Sequence, residues 1–114
     1  TFIHSCCSVV AFIPDFVEAG FDILNPIQCS ATGMDPATLK REFGHAITLW
    51  GGGINTQDTL PFGSPEDVRE QVKERVGTLG QGGGFVFNAI HNIQGQTPPQ
   101  NLMALFEAFR DFRS

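Results

Sequence analysis

Four short apolar runs alternate with four helical stretches along this chain, and that alternation restricts its fold more than anything else in the sequence. Residues 1–5, 21–26, 46–50 and 85–90 read as strands, each a continuous apolar run rather than an alternating one. Uninterrupted apolar strands belong to parallel sheets covered by helices. Parallel neighbours in turn need a crossover long enough to hold a helix. The punctuation agrees. A periodic stretch over 9–19 is closed by Gly20, and Asp35 followed by Pro36 is an N-cap and first helical residue for a helix running to Phe43, with Gly44 as its stop. Ser64-Pro65-Glu66-Asp67 caps the longest helix, whose apolar positions Val68, Val72, Val76 and Leu79 recur at helical spacing. A last helix over 99–112 carries Leu102, Leu105, Phe106 and Phe109 on one stripe. The expectation is one α/β domain over residues 1–114, built of four parallel β/α units.

Four such units make half of an eight-unit barrel. In sequential order the first and fourth strands would each keep an unpaired edge, and such an edge invites another chain. A two-fold dimer pairing the first strand of each chain with the fourth of the other would close eight strands. The rivals are a flat doubly wound sheet with helices on both faces, and a longer protein of which this is a piece. The start at Thr1, without Met, reads as a trimmed or partial chain. At 114 residues and 41% hydrophobic content, one core is affordable.

A net charge of −5 with no Lys/Arg cluster excludes nucleic acid as the expected partner. No apolar run approaches the ~20 residues of a membrane span, and no signal peptide is visible. Three cysteines, Cys6, Cys7 and Cys29, make no disulfide framework, so the expected setting is a reduced, cytoplasmic one.

Chemistry concentrates at the strand ends. His4 and Cys6 lie two apart at the end of the first strand, so strand alternation points them to one face, where both could grip one ion. The end of a parallel strand is also where barrels keep their active sites. The plain alternative is a buried thiol beside histidines satisfied by backbone. Asn25, Gln28, Asn55 and Gln57, at the ends of strands two and three or in their loops, are candidate substrate contacts; strand-end hydrogen bonding is the competing role. Gly51-Gly52-Gly53 follows a strand and lets backbone approach a ligand, whereas Gly82-Gly83-Gly84 precedes one and reads as a loop. Cys29 reads as a small semi-buried residue.

Taken in order, the stretches F-I-H-S-C (2–6), I-P-D-F-V-E-A-G-F-D-I-L-N-P-I-Q (13–28), M-D-P-x-x-L-K-R-E-F-G (34–44), W-G-G-G-I-N-T-Q (50–57), L-P-F-G-S-P-E-D-V (60–68) and H-N-I-Q (91–94) resemble the C-terminal half of the uroporphyrinogen decarboxylase superfamily, nearest to its corrinoid-linked methyltransferases. The resemblance implies strands five to eight of a (β/α)8 TIM barrel. It also implies zinc at His4 and Cys6, with His91 where the third ligand falls, and a methyl group moving to or from a corrinoid, with a corrinoid protein as partner. Two departures from the family pattern stand out. Asn55 replaces the usual Asp of G-G-x-D-T-Q, keeping shape but losing charge, although a turn after glycines suits Asn as well as Asp. Cys7 stands where the family carries Gly. The readings to be weighed are therefore a zinc-dependent methyltransferase half-site, a non-catalytic half-barrel that self-associates as a homodimer, and a decarboxylase-like remnant that binds a tetrapyrrole.

Overall fold

In the computed structural model, which describes residues 1–113, the chain alternates as its sequence suggests. The elements are β1 (Phe2–His4), α1 (Ile13–Glu18), β2 (Ile23–Asn25), α2 (Pro36–Phe43), β3 (Thr48–Trp50), α3 (Thr59–Phe62), α4 (Pro65–Leu79), β4 (Phe85–Val86) and α5 (Pro99–Phe112). All four strands are parallel and lie in the order β1-β2-β3-β4. His4 stands opposite Asn25, and Trp50 opposite Val86. Parallel crossovers are right-handed, so an order that always steps the same way returns every helix over one face. The doubly wound alternative needs a reversal of strand order, and none occurs among the described residues. Four sequential β/α units form an arc of a barrel; helices sit outside and a concave face lies open.

The strands are covered on one face only, as an open arc of four units implies. Leu24 and Leu49 are fully buried against the helices, together with Ile13, Ile27, Met34, Leu39 and Leu79. Phe2, on the other side of β1, is 48% exposed and meets the Trp50 ring edge-on at 5.4 Å. A second core of Ile54, Leu60, Val68, Val72, Leu105 and Ala108 joins α3, α4 and α5.

Local chemistry explains the boundaries. The Asp35 carboxylate accepts from the Thr38 amide at 3.0 Å, which holds its pKa below the ordinary aspartate value. Ser64 and Asp67 form a reciprocal capping box, 3.1 and 2.9 Å, at the head of α4. The first helix is shorter than the 9–19 periodicity suggests. In a continuous α-helix the Pro14 ring would clash with the Val10 carbonyl, and residues Val10–Phe12 instead form a tighter 3-10 turn. The fourth strand likewise ends at Val86 rather than 90. Its partner β3 runs into Gly51 and Gly52, whose φ of +97° and +83° break regular strand geometry. Pairing nevertheless continues past both strands: Gly51 N–H donates to Val86 O, Gly53 N–H to Asn88 O at 2.8 Å, and Ile90 N–H to Ile54 O at 3.1 Å.

Candidate functional site

The strands deliver four loops to one end of the arc. At the end of β1 the His4 ring meets Asn25 of β2, with Nδ1 and Oδ1 2.7 Å apart. The Asn25 amide is oriented by its own Nδ2, which donates to Trp50 O at 3.4 Å, so Oδ1 is the atom that faces the imidazole. An amide oxygen only accepts. This network therefore assigns the proton to Nδ1 of His4 and leaves Nε2 with an open lone pair. His91 Nδ1 likewise meets Asn92 Oδ1. Although β1 and β4 are opposite edges of the sheet, His4 and His91 line the same cavity of about 470 Å³, with Asn25, Asn88, Ile90 and Ile93 among its walls. One chain thus brings the two imidazoles to one opening.

Cys6 is exposed and lies outside that lining. Cys7 beside it has φ +70°, the left-handed region a glycine would occupy freely. The Cys7 thiol donates toward Cys6 Sγ at 3.8 Å, and this contact raises its pKa above the ordinary thiol value. Gln28 faces this turn, its Oε1 accepting from Cys7 N–H at 2.7 Å. Asn55 caps the turn after the glycines: its Oδ1 accepts from the amides of Gln57 and Asp58, a pair of bonds Asp could equally accept. The Asn55 N–H itself donates to Gln71 Oε1 of α4. Burial pushes the Cys29 thiol up to about 11, against the pull of Arg75.

A second cavity of about 300 Å³ adjoins the first through His91 and is lined by Thr56, Gln57, Gln94 and Gln96. Thr56 is a buried polar residue that sequence reasoning passed over; its one signal is its place in the loop that follows the glycine run. The Gly53 Cα comes so close to the Phe87 ring that a Cβ there would fall 2.4 Å from it, which is how the β3 loop and the β4 loop pack edge to edge.

Of the candidate ligands, His4 and His91 share a wall and Cys6 stands two residues from His4. Among the described residues no three His, Cys, Asp or Glu side chains stand close enough to hold one ion. The residue types nevertheless suit zinc: two imidazoles, with Nε2 of His4 free, and an exposed thiol.

A model of the family described as uroporphyrinogen decarboxylase (URO-D) matches residues 1–112. The chain is 32% identical over 84 residues to the uroporphyrinogen decarboxylase of Nitrosospira multiformis, which covers 70% of this chain and 22% of that protein. It is 33% identical over 88 residues to the uroporphyrinogen decarboxylase of Coxiella burnetii (74% and 24%) and 33% identical over 84 residues to that of Cronobacter sakazakii (70% and 23%). The matched stretch is less than a quarter of the length of these relatives.

Proposed function

The chain belongs to the uroporphyrinogen decarboxylase family, and on that footing we propose that its strand-end face serves zinc-dependent methyl transfer to or from a corrinoid. The observation that carries this reading is the His4 imidazole, whose proton is held on Nδ1 by Asn25 while Nε2 stays open, two residues before an exposed thiol. His4, Cys6 and His91 would hold the metal only once Cys6 moves to join the two imidazoles, since the three do not stand together in this structure. A zinc ion bound there supplies one thing, acidity: a thiol that it coordinates loses its proton at neutral pH.

The remaining roles belong to this chain's own groups. Asn25 fixes the tautomer and plane of His4, the task that outer partners of metal-binding histidines commonly perform. Gln28 holds the turn that carries Cys6 and Cys7. Ile90 and Ile93 give the cavity an apolar flank beside the imidazoles. Asn25, Gln57 and the Asn55 turn would contact substrate or position what does.

A second reading is favoured by the names of the relatives: a uroporphyrinogen decarboxylase-like site binding a tetrapyrrole without metal. Native mass spectrometry with added Zn²⁺, followed by Co²⁺ substitution and absorption spectroscopy, separates the two. Methyl transfer predicts one metal per chain and a thiolate-to-cobalt band that Cys6→Ser abolishes. Asn25→Ala should weaken zinc by about 10- to 100-fold, the usual effect of losing such a partner. A folded wild-type chain that takes up no metal removes the methyltransferase reading. That result would leave the decarboxylase-like site or a non-catalytic half-barrel.

A further inference from the structure

The sheet is parallel, so the residues just before β3 and β4 lie at the end opposite His4 and His91. There a cavity of about 490 Å³ opens between α2 and the loop leading into β4, with Lys40, Arg41, His45, Thr78, Gln81 and Gly83 in its walls. Both walls come from adjacent β/α units of this chain. Lys40 and Arg41 occupy the last turn of α2, and His45 follows its end. Two of the seven Lys and Arg and one of the three His thus meet at one opening, on a chain whose net charge is −5.

Lys40 is held in place there. A Cβ at Gly44 would fall 2.7 Å from Lys40 Cδ, so glycine leaves room for the lysine stem to run past the helix end. Its Nζ donates to Gly83 O across the gap. Burial lowers the Lys40 pKa below the ordinary lysine value. The ammonium is partly stripped of water beside a neutral carbonyl, and a bound anion would replace the lost hydration. Arg41 meets Glu42 at 4.0 Å with both side chains exposed, a pair worth little in water. Basic residues in a last turn answer the helix dipole. That role does not account for His45 beyond the helix, nor for a lysine carried across to the neighbouring unit.

We propose that this cavity binds a phosphate group carried on a small molecule, at a site remote from the strand-end face. A phosphate monoester brings about −1.5 to −2 charges at neutral pH and three acceptor oxygens. Lys40 and Arg41 supply two positive charges, His45 a further ring nitrogen, and Thr78 and Gln81 a hydroxyl and an amide. A planar guanidinium bonds phosphate through two parallel N–H groups, and an ammonium acts as a point charge beside it. A single carboxylate would neutralise only one of the two cations. The volume is that of a small-molecule site, which leaves room for the organic body toward Thr78 and Gln81. Because the chain is acidic overall, its general field does not attract such a ligand; the local cluster has to.

Heteronuclear NMR of the whole chain, titrated with inorganic phosphate and then with glycerol phosphate at fixed ionic strength, tests this. Amide shifts at Gly44, His45, Gly82, Gly83 and Gly84 should saturate, while those of His4 and His91 stay unmoved. Arg41→Gln removes a charge from an exposed side chain and should weaken binding at least about fivefold, equivalent to about 1 kcal/mol, with the thermal midpoint unchanged. Glu42→Gln should tighten binding, since it releases Arg41. A monoester that binds several-fold tighter than inorganic phosphate supports the small-molecule assignment. Equal affinities assign the cavity to the free ion and overturn that part of it. Shifts that fail to saturate, or that chloride reproduces, overturn the site altogether, and so does unchanged affinity in Arg41→Gln.

Discussion

At Cys7 the chain holds a side chain in a backbone conformation that L-residues avoid. Its φ of +70° puts Cβ against the following carbonyl, at a cost of about 1–2 kcal/mol. Cys7→Gly relieves that strain but gives the unfolded chain more freedom, which returns about 0.5–1 kcal/mol. The net expectation is a gain of about 0.5–1 kcal/mol, readable as a rise in thermal midpoint; a fall would mean that the Cys7 side chain makes stabilising contacts not evident from its exposure. Gly53 is the opposite case. Its φ is ordinary, and what excludes a side chain there is the Phe87 ring, which stacks in turn on Phe109 at 4.4 Å. Only the structure separates a conformational need for glycine, as at Cys7, from a steric one, as at Gly53.

Among the elements, α5 is fastened by Asn101 as well as by its apolar face. Asn101 is 1% exposed, and its Nδ2 donates to both Leu60 O and Gly63 O at 2.8 Å, tying the end of α3 and the head of α4 to the last helix. Asn101→Leu keeps the volume and removes an unpartnered Oδ1, but it strips two buried carbonyls of their donor. A loss of about 2 kcal/mol is expected, or a thermal midpoint lower by ~8 °C for a domain of this size. An unchanged midpoint would show that the carbonyls find other donors. Asn101 also marks what was legible in the sequence. Asp35-Pro36 and Ser64-x-x-Asp67 announce their helices because a cap is a local device, complete within four residues. The partners of Asn101 are about forty residues away, and nothing around it in the sequence declares them. The four-residue α3 was missed for the same reason: Leu60 is buried in a core shared with α4 and α5, not held by any local signal. The candidate site divides likewise. Strand alternation suggested His4 and Cys6 as a pair and the family resemblance pointed to His91; the strand ends at His4, and it is His91 rather than Cys6 that shares a cavity with it. No pattern reveals that Asn25 sets the proton of His4, or that Thr56 is buried without a partner.

For the molecule as a whole, the arc is compact at a radius of gyration of 13.7 Å but unfinished. Residues 1, 3 and 5 face β2, since Thr1 O accepts from Ile23 N–H and Ser5 N–H donates to Asn25 O. By alternation the backbone groups of Phe2 and His4 face outward along a free edge. The outer edge of β4 is free too, with Phe106 of α5 exposed nearby at 65%. We propose that these edges are covered by a second copy of the chain, β1 of one against β4 of the other. Sedimentation velocity across a concentration series should then show dimers, and Phe2→Pro, which removes an outward N–H from a half-exposed position, should weaken dimerisation at least about tenfold. A monomer at every concentration would exclude the two-copy barrel. No helix among the described residues is long and apolar enough to cross a membrane.

The hydrogen bonds that run on past β3 and β4 have a consequence in time as well as in space. Because Gly53 donates to Asn88 and Ile90 donates back to Ile54, the loop bearing Thr56 and Gln57 and the loop bearing His91 and Gln94 are rungs of one ladder. They should open together, as a single cooperative unit, and the amides of Gly53 and Ile90 should exchange their hydrogens at matching rates. A ligand that stills either loop would then slow exchange in both.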